Sequence, residues 1–485
     1  MKSGRAAGDD LIIAEALKAL PASIPPRHHH RGPATDVANY RGIRLLRTSY
    51  KLIERLILAR AGSARDATTR DEQAGFRPGR GTADQIFSIR RITEMYRRHN
   101  RPLFIAFLDF ESAFDSPDRS RLFDAVAADG MPQSFVDLLR DLYRDTTATV
   151  RSPSGESAPF PVKTGVRQGS VTGPFLFNFV IDDVLSRTTS VLHPDVILHP
   201  SRRSVLDLCP HLQEACSTNE DLAEAHGLRF RPEKCKQMSF NTDATDGIRV
   251  RGTPIDIVPS FVYLGSSIQS DCKLDAEIST RIGKASSAFN ALGRCLWTSI
   301  ATPVKLRVYL TAIRPFLTYS AETWAAPPGS LERLDVTERR FLRRILGIIY
   351  PVVISNEELH RRADAAAQAG KGTPFLRVSE AVRRSQLRLL GLIPRRPDDW
   401  LLRQVMHATG PPGWKRRRGA PAKSWTKMIR AELVHGGVGK FQRGDARREL
   451  WASDVWLDVV RDMEMNRDTW RKFANGYCTA AQALS

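Results

Sequence analysis

The stretch Phe107-Leu108-Asp109-Phe110-Glu111-Ser112-Ala113-Phe114-Asp115 places a carboxylate at the end of an almost continuously apolar run that starts at Leu103. A buried charge of this kind is costly unless it is paired or binds a cation. A strand end delivers such a group to the edge of a cleft, where a Mg²⁺ ligand belongs. The alternative use of Asp109 or Asp115 is to cap the helix that Pro117 opens. A second stretch, Gly165-Val166-Arg167-Gln168-Gly169-Ser170-Val171-Thr172-Gly173-Pro174, turns through glycines into a helix N-terminus. Such a turn offers backbone N–H groups to an anion, or is merely a turn.

The elements that must hold these groups can be read from the hydrophobic spacing. Leu52, Ile53, Leu56 and Ile57 predict a helix from Thr48, and Ile86, Ile89 and Ile92 a second one. Leu103 to Phe110 predicts a buried strand. A helix through Leu122, Phe123 and Val126 closes near Gly130, and Pro174 starts another through Phe179 and Ile181. Thr147 to Val150 with Phe160 to Val166 suggests a hairpin. Strands are expected near Ile197 and from Gln237 to Phe240, with a helix from Leu212 to Ala225 between them. Phe261 to Gly265 looks like a short hairpin strand. Beyond Ala276 the chain is mainly helical, with Ile282, Ala285, Phe289 and Leu292 on one face.

The order and wording of these stretches resemble the reverse transcriptase domain of non-LTR (LINE-type) retrotransposons. Asn39-Tyr40-Arg41-Gly42-Ile43-Arg44-Leu45-Leu46 resembles its fingers motif, and Gln73-Ala74-Gly75-Phe76-Arg77-Pro78-Gly79-Arg80-Gly81 its fingers loop. Phe107 to Asp115 looks like motif A, and Arg167-Gln168-Gly169 with Phe177-Asn178-Phe179 like motif B. Gly227-Leu228-Arg229 with Pro232-Glu233-Lys234-Cys235-Lys236 resembles motif D, and Tyr263-Leu264-Gly265 the motif E hairpin. Six motifs in the family's order, from about Asn39 to Ile268, make a specific match.

The resemblance implies an α+β right-hand polymerase: an antiparallel palm sheet with packed helices, then a helical thumb. It divides the chain into a truncated N-terminal segment (1–38), fingers and palm (39–270), a thumb-like region (271–350) and a basic helical C-terminal region (351–485). It gives Asp109 the role of metal ligand and catalytic carboxylate, and Lys234 that of proton donor to the leaving pyrophosphate. Phe114 matches the aromatic that abuts the incoming sugar, with Phe110 beside it; Arg41 matches a triphosphate clamp. Gln168 and Gly169 would line the nucleotide and template pocket. Arg77, Arg80, Tyr263, Leu264 and Gly265 would face template and primer. Phe114 could equally be plain core, and Arg41 and Lys234 solvated surface charges. The expected partners are an RNA template, a DNA primer and dNTPs, with Mg²⁺ as cofactor and the chain a fragment of a larger element-encoded protein.

One part of the pattern is missing. In the family, motif C supplies a Tyr-Ala-Asp-Asp hairpin between motifs B and D, yet no adjacent Asp-Asp pair lies between Val184 and Arg229. Asp182-Asp183 sits on the motif B helix, away from the active site. Asp195 to Leu208 fits the strand before motif C, and the chain then passes through Cys209 and Pro210 to a helix at Leu212. The expectation is a short deletion between Leu208 and Leu212 that removes the catalytic hairpin, weakens the palm and leaves the polymerase impaired. The alternative is a catalytically dead remnant that at most binds nucleic acid.

Bulk properties agree with a nucleic-acid partner. The 485 residues carry 73 Lys+Arg against 53 Asp+Glu, a formal charge of +20, which favours a polyanion. A hydrophobic content of 42% excludes a mainly disordered or collagen-like chain. None of the 6 cysteines forms a Cys-x-x-Cys pair, so free thiols in a reducing compartment are expected. No apolar run reaches a membrane span and no secretory pattern opens the chain, so an intracellular protein is expected. Arg339, Arg340, Arg343, Arg344, Arg383, Arg384 and Arg388 could form a backbone-binding face or a solvated helix surface. Lys415-Arg416-Arg417-Arg418 reads as a nuclear import signal, a phosphate contact or an exposed basic loop.

Overall fold

The computed structural model describes residues 46, 48–70, 73–152, 155–167, 169–191, 197–199, 203–207, 211–242, 247–293, 297, 300–371, 375–396, 400–407, 414–415, 424–435 and 470–475. Arg41, Gln168, the junction 208–210 and Arg416 to Arg418 lie outside them. Two compact units divide the chain. One takes residues up to Gln85 from Arg41 and then Tyr96–Phe261; the other takes Ile86–Met95 and everything from Val262.

The first unit is built on β1 (Leu103–Asp109). Leu103, Ile105, Ala106, Phe107 and Leu108 are all fully buried, so this strand is covered on both faces, as its apolar run predicts. Hairpin β2–β5 (Thr147–Ala148 and Phe160–Pro161) encloses a smaller one, β3–β4 (Arg151–Ser152 and Gly155–Glu156), where the sequence suggests a hairpin. β6 (Ile197–His199) and β7 (Arg203–Asp207) are antiparallel, and β7 runs antiparallel to β1 with Arg203 opposite Asp109. On its other side β1 pairs with β8 (Lys236–Phe240), with Phe107 opposite Lys236. β9 (Arg249–Val250) and β10 (Thr253–Pro254) form a separate hairpin. β11 (Asp256–Ile257) then adds in parallel to β8, giving the order β11-β8-β1-β7-β6.

The helices of this unit are α1 (Thr48–Thr68), the start of α2 (Thr82–Arg98), α3 (Arg119–Ala128), α4 (Gln133–Tyr143), α5 (Gly173–Val191) and α6 (Leu212–Ala225). Leu122 and Val126 of α3, Leu176 and Val180 of α5 and Ala215 of α6 form one buried core with Ala106 and Leu108 of β1. Phe107, on the opposite side of the strand, stacks on Phe261 at 4.1 Å. Each fully buried large apolar side chain here contributes about 1.5–3 kcal/mol.

Two local expectations need correction. The N-cap of α3 is Asp118, whose carboxylate accepts from the Arg121 amide at 3.0 Å, not Asp109 or Asp115. In α1 the buried stripe is Glu54, Ile57, Ala61 and Arg65, spaced three and four apart, while Leu52 and Leu56 are 60% and 58% exposed. Buried charge displaced the apolar face: Arg65 bonds Asp129 at 2.6 Å and Asp182 at 2.9 Å, under the Phe179 ring.

Strand β12 (Ser260–Tyr263) runs into the second unit at Val262, and that unit contains its hairpin partner β13 (Ser266–Gln269) and helices α7 (Asp275–Ala291), α8 (Thr302–Val308), α9 (Pro328–Ile345), α10 (Asn356–Lys371) and α11 (Val378–Leu392). Ala285 and Phe289 of α7 are buried and Ile282 and Leu292 pack beside them, as their spacing predicts. Carboxylates of α9 hold the start of α11: Glu338 accepts from the Val378 amide at 2.9 Å and Asp335 from the Ser379 amide at 2.9 Å. Among the described residues no helix is long and apolar enough to cross a membrane.

His360 on α10 lies near Phe375, ring centroids 6.3 Å apart. Burial, then the cations of Arg377, Arg339 and Arg314, push its imidazole down from the ordinary 6.5 to about 4, with Glu357 opposing weakly. Between these values the unfolded chain binds more protons than the folded one, so this contribution is intact above pH 6.5 and is lost as pH falls toward 4. Thermal melts of the wild type and His360→Leu should therefore diverge in slope over that window, the wild type losing stability faster on acidification. Parallel melting curves would contradict the assignment.

Candidate active site

The structure brings Asp109 and Lys234 together: Lys234 Nζ lies 3.8 Å from Asp109 Oδ2. The chain brings them together by zipping motif A to motif D. The Arg231 amide donates to Asp109 O at 2.9 Å, and the Glu111 amide to Arg229 O at 2.7 Å. The Asp109 amide in turn donates to Cys235 Sγ at 3.4 Å, and Arg231 reaches Glu111 at 3.1 Å. Burial pushes the Cys235 thiol up to about 11, so it is an inert structural sulfur.

Phe110 is not available to a nucleotide. It is buried in the core and stacks on Phe230 at 4.6 Å, so its expected binding role is replaced by packing. Phe114 is only half-buried, lying 4.9 Å from Phe177 and 6.0 Å from Phe76, edge-on to the latter. The motif B turn is tied to the same place. The Gly165 amide donates to Pro117 O and the Val166 amide to Phe114 O, both at 2.8 Å. Gly165 has φ +75 and a Cβ there would sit 2.5 Å from Phe114 O, so only glycine fits. Gly169, expected in the nucleotide pocket, likewise has a left-handed backbone at φ +77.

The anion at the start of α5 is the protein's own. Fully buried Glu54 accepts from the Val171 amide at 2.8 Å, from Thr172 Oγ1 at 2.9 Å and from Ser170 Oγ. The helix N-terminus that the sequence offers to a ligand is thus filled by α1, which complements the helix dipole.

Arg77 also differs from expectation. Its guanidinium donates to Asp66 Oδ1 at 2.7 Å, Arg70 O at 2.7 Å, Gln73 O at 3.1 Å and Asp66 O at 2.9 Å, which uses it as a loop staple rather than a template contact. Asn178 of α5 holds the same loop, accepting from Gln73 Nε2 at 2.8 Å and donating to Gly75 O at 2.9 Å. Arg80 is half-buried beside them. In the other unit Tyr263 is fully buried; Leu264 O accepts from Tyr319 Oη at 2.6 Å and Gly265 O from Arg281. The side chain of Tyr263 is therefore core, and the turn's carbonyls are already occupied.

The expected gap in the sheet is absent. The β6–β7 hairpin stands between the motif B helix and motif D and pairs with the motif A strand over five residues, Ile105 to Asp109. A hairpin, β6–β7, stands just upstream of Leu208 and carries no Tyr-Ala-Asp-Asp sequence, and the junction 208–210 itself lies outside the described residues. The stretch expected as one strand holds two, since β6 and β7 pair antiparallel.

Residues 30–268 match the family model for reverse transcriptase (RNA-dependent DNA polymerase). A transposon-derived protein of Caenorhabditis elegans is 30% identical over 221 residues, 42% of this chain and 76% of that protein. The chain belongs to the reverse transcriptase family. Its relatives place this reverse transcriptase domain among the non-LTR, LINE-type elements. The RNA-directed DNA polymerase from mobile element jockey of Drosophila melanogaster is 28% identical over 348 residues, 67% of this chain and 37% of that protein. The retrovirus-related Pol polyprotein from type-2 retrotransposable element R2DM of the same fly is 29% identical over 308 residues, 58% of this chain and 28% of its own length. The chain thus spans well under half of these polymerases. Among solved structures, apo telomerase from Candida tropicalis aligns over 74% of this chain and 60% of its own at 13% identity, with a TM-score of 0.37.

Arg77→Ala should lower the unfolding free energy by about 1–3 kcal/mol, because it strands buried acceptors. The salt dependence of RNA binding should stay unchanged, because no phosphate contact is removed. A shallower salt slope at unaltered stability would restore Arg77 to the template surface.

Proposed function

We propose that this chain is a retrotransposon-derived reverse transcriptase core that engages an RNA template and a DNA primer but is impaired in nucleotidyl transfer, because its motif C carboxylates have been replaced. The observation that carries this reading is the register of the sheet: Arg203, not an acid, stands opposite Asp109. The family generally uses divalent metals. Two Mg²⁺ ions about 3.5–4 Å apart repel one another unless several anions converge between them. Here Asp109 has Lys234 beside it at 3.8 Å and Glu111 has Arg231 at 3.1 Å. Among the described residues no group of three His, Cys, Asp or Glu side chains could hold a metal ion. These residues do not fit a two-metal centre. A loss of even 4–5 kcal/mol of transition-state stabilisation is a thousandfold or more in rate, on a scale of about 1.36 kcal/mol per tenfold.

What remains is a binding surface. In this reading Phe114 abuts the sugar of a dNTP and Lys234 faces its leaving pyrophosphate, the roles that the motif resemblance implies. Arg340 and Arg344 of α9 and Arg388 of α11 are exposed and could meet a phosphate backbone. Arg339 and Arg383 contribute less, being paired with Glu332 at 2.5 Å and Glu432 at 3.4 Å. A setting inside the cell, in or near the nucleus, accords with a nucleic-acid partner and the charge of +20. The second reading, a catalytically dead remnant that only binds nucleic acid, draws on the same register and differs only in residual extension.

Primer extension on a poly(rA)–oligo(dT) substrate with dTTP and Mg²⁺ or Mn²⁺ separates these from an active polymerase. Wild type should extend at most at a trace rate, about a thousandfold or more below an active polymerase, while wild type and Asp109→Ala both bind the substrate with an affinity that falls steeply with salt. Extension at the rate of an active polymerase would overturn the impaired-site reading; trace extension that Asp109→Ala abolishes favours impairment over the dead remnant, and no extension favours the remnant.

A further inference from the structure

Phe76 has a backbone that its side chain disfavours. Its φ is +60, and among the described residues with left-handed φ other than glycine it is the one aromatic. Most of the others are Asn, Asp or Ser, whose short polar side chains tolerate this region. The conformation is imposed from both sides. Asn178 bonds Gln73 and Gly75 just before it, and Arg77 just after it is tied to Asp66. Strain that buried bonds over-determine in this way marks positions held for function.

The ring so held is not used as core. Phe76 is 44% exposed, whereas Phe177, two rings along in the same cluster, is 7% exposed. It stands edge-on to Phe114 at 6.0 Å and 83°, next to the position that the proposed function gives to the incoming sugar. An aromatic face beside a sugar contact suits a nucleobase, since base–aromatic stacking is strong and tolerant of sequence.

We propose that Phe76 is a stacking platform for a nucleobase in the polymerase cleft, supplied by the template strand or by the incoming nucleotide. The inference rests on the nucleic-acid-binding reading above but does not need catalysis. Glycine is the informative substitution, because it removes the ring and accepts φ +60 without strain.

The test uses the full chain as wild type, Phe76→Gly and Phe76→Tyr. Binding of a labelled 12-nucleotide oligoadenylate RNA is followed by fluorescence anisotropy, and of dATP by calorimetry, at fixed salt. Phe76→Gly should weaken binding about tenfold with an unchanged salt slope and an unlowered melting temperature, and Phe76→Tyr should keep wild-type affinity. A loss seen with the RNA assigns the base to the template; a loss seen with dATP alone assigns it to the incoming nucleotide. Equal affinity of wild type and Phe76→Gly for both probes would overturn the proposal, and a lowered melting temperature with that result would make Phe76 a packing residue. Wild-type protein that binds neither probe would instead overturn the proposed function, and this inference with it.

Discussion

A strand buried on both faces can persist only if other strands satisfy its backbone on both edges, and β1 sets the rest of its unit under that constraint. β8 closes one edge and β7 the other, which brings motif D to one side of Asp109 and the β6–β7 hairpin to the other. The requirement is indifferent to catalysis. A chain that lost its hairpin would expose the edge of its most apolar strand, whereas one that kept the strands and lost their carboxylates would fold as well as before. Here the β6–β7 hairpin closes that edge, with Arg203 opposite Asp109.

Buried charge does the remaining positioning. Glu54 caps α5, Arg65 joins α1 to Asp129 and Asp182, and Arg77 closes the fingers loop on Asp66. Each pair is costly to break, since the remaining partner would be left buried without its counter-charge. Together they fix where Phe114, Phe177 and Phe76 meet. The aromatic cluster beside Asp109 is therefore held by polar bonds made one step behind it.

Much of this was legible in the sequence. The run Leu103 to Asp109 identified the central strand because burial on both faces leaves no alternation to confuse it. Gly165 was legible as a turn, although its close approach to Phe114 was not. The misjudged residues share one cause: a charged or aromatic side chain in a motif reads the same whether it faces a ligand or the protein. Arg77, Phe110 and Tyr263 all face inward, and only their three-dimensional partners reveal it. Phe76 was hidden for the opposite reason, since its exposure and its φ are properties of the folded loop. The β6–β7 hairpin escaped notice because its strands of 3 and 5 residues carry no strong period-two pattern.

The central claim is that this hairpin completes the sheet against the motif A strand. Hydrogen–deuterium exchange on peptides covering residues 103–109 and 203–207 tests it most directly. Ladder pairing predicts that amides of 203–207 are protected and open together with those of β1. Exchange of 203–207 at the rate of an unstructured chain, beside a protected β1, would contradict it.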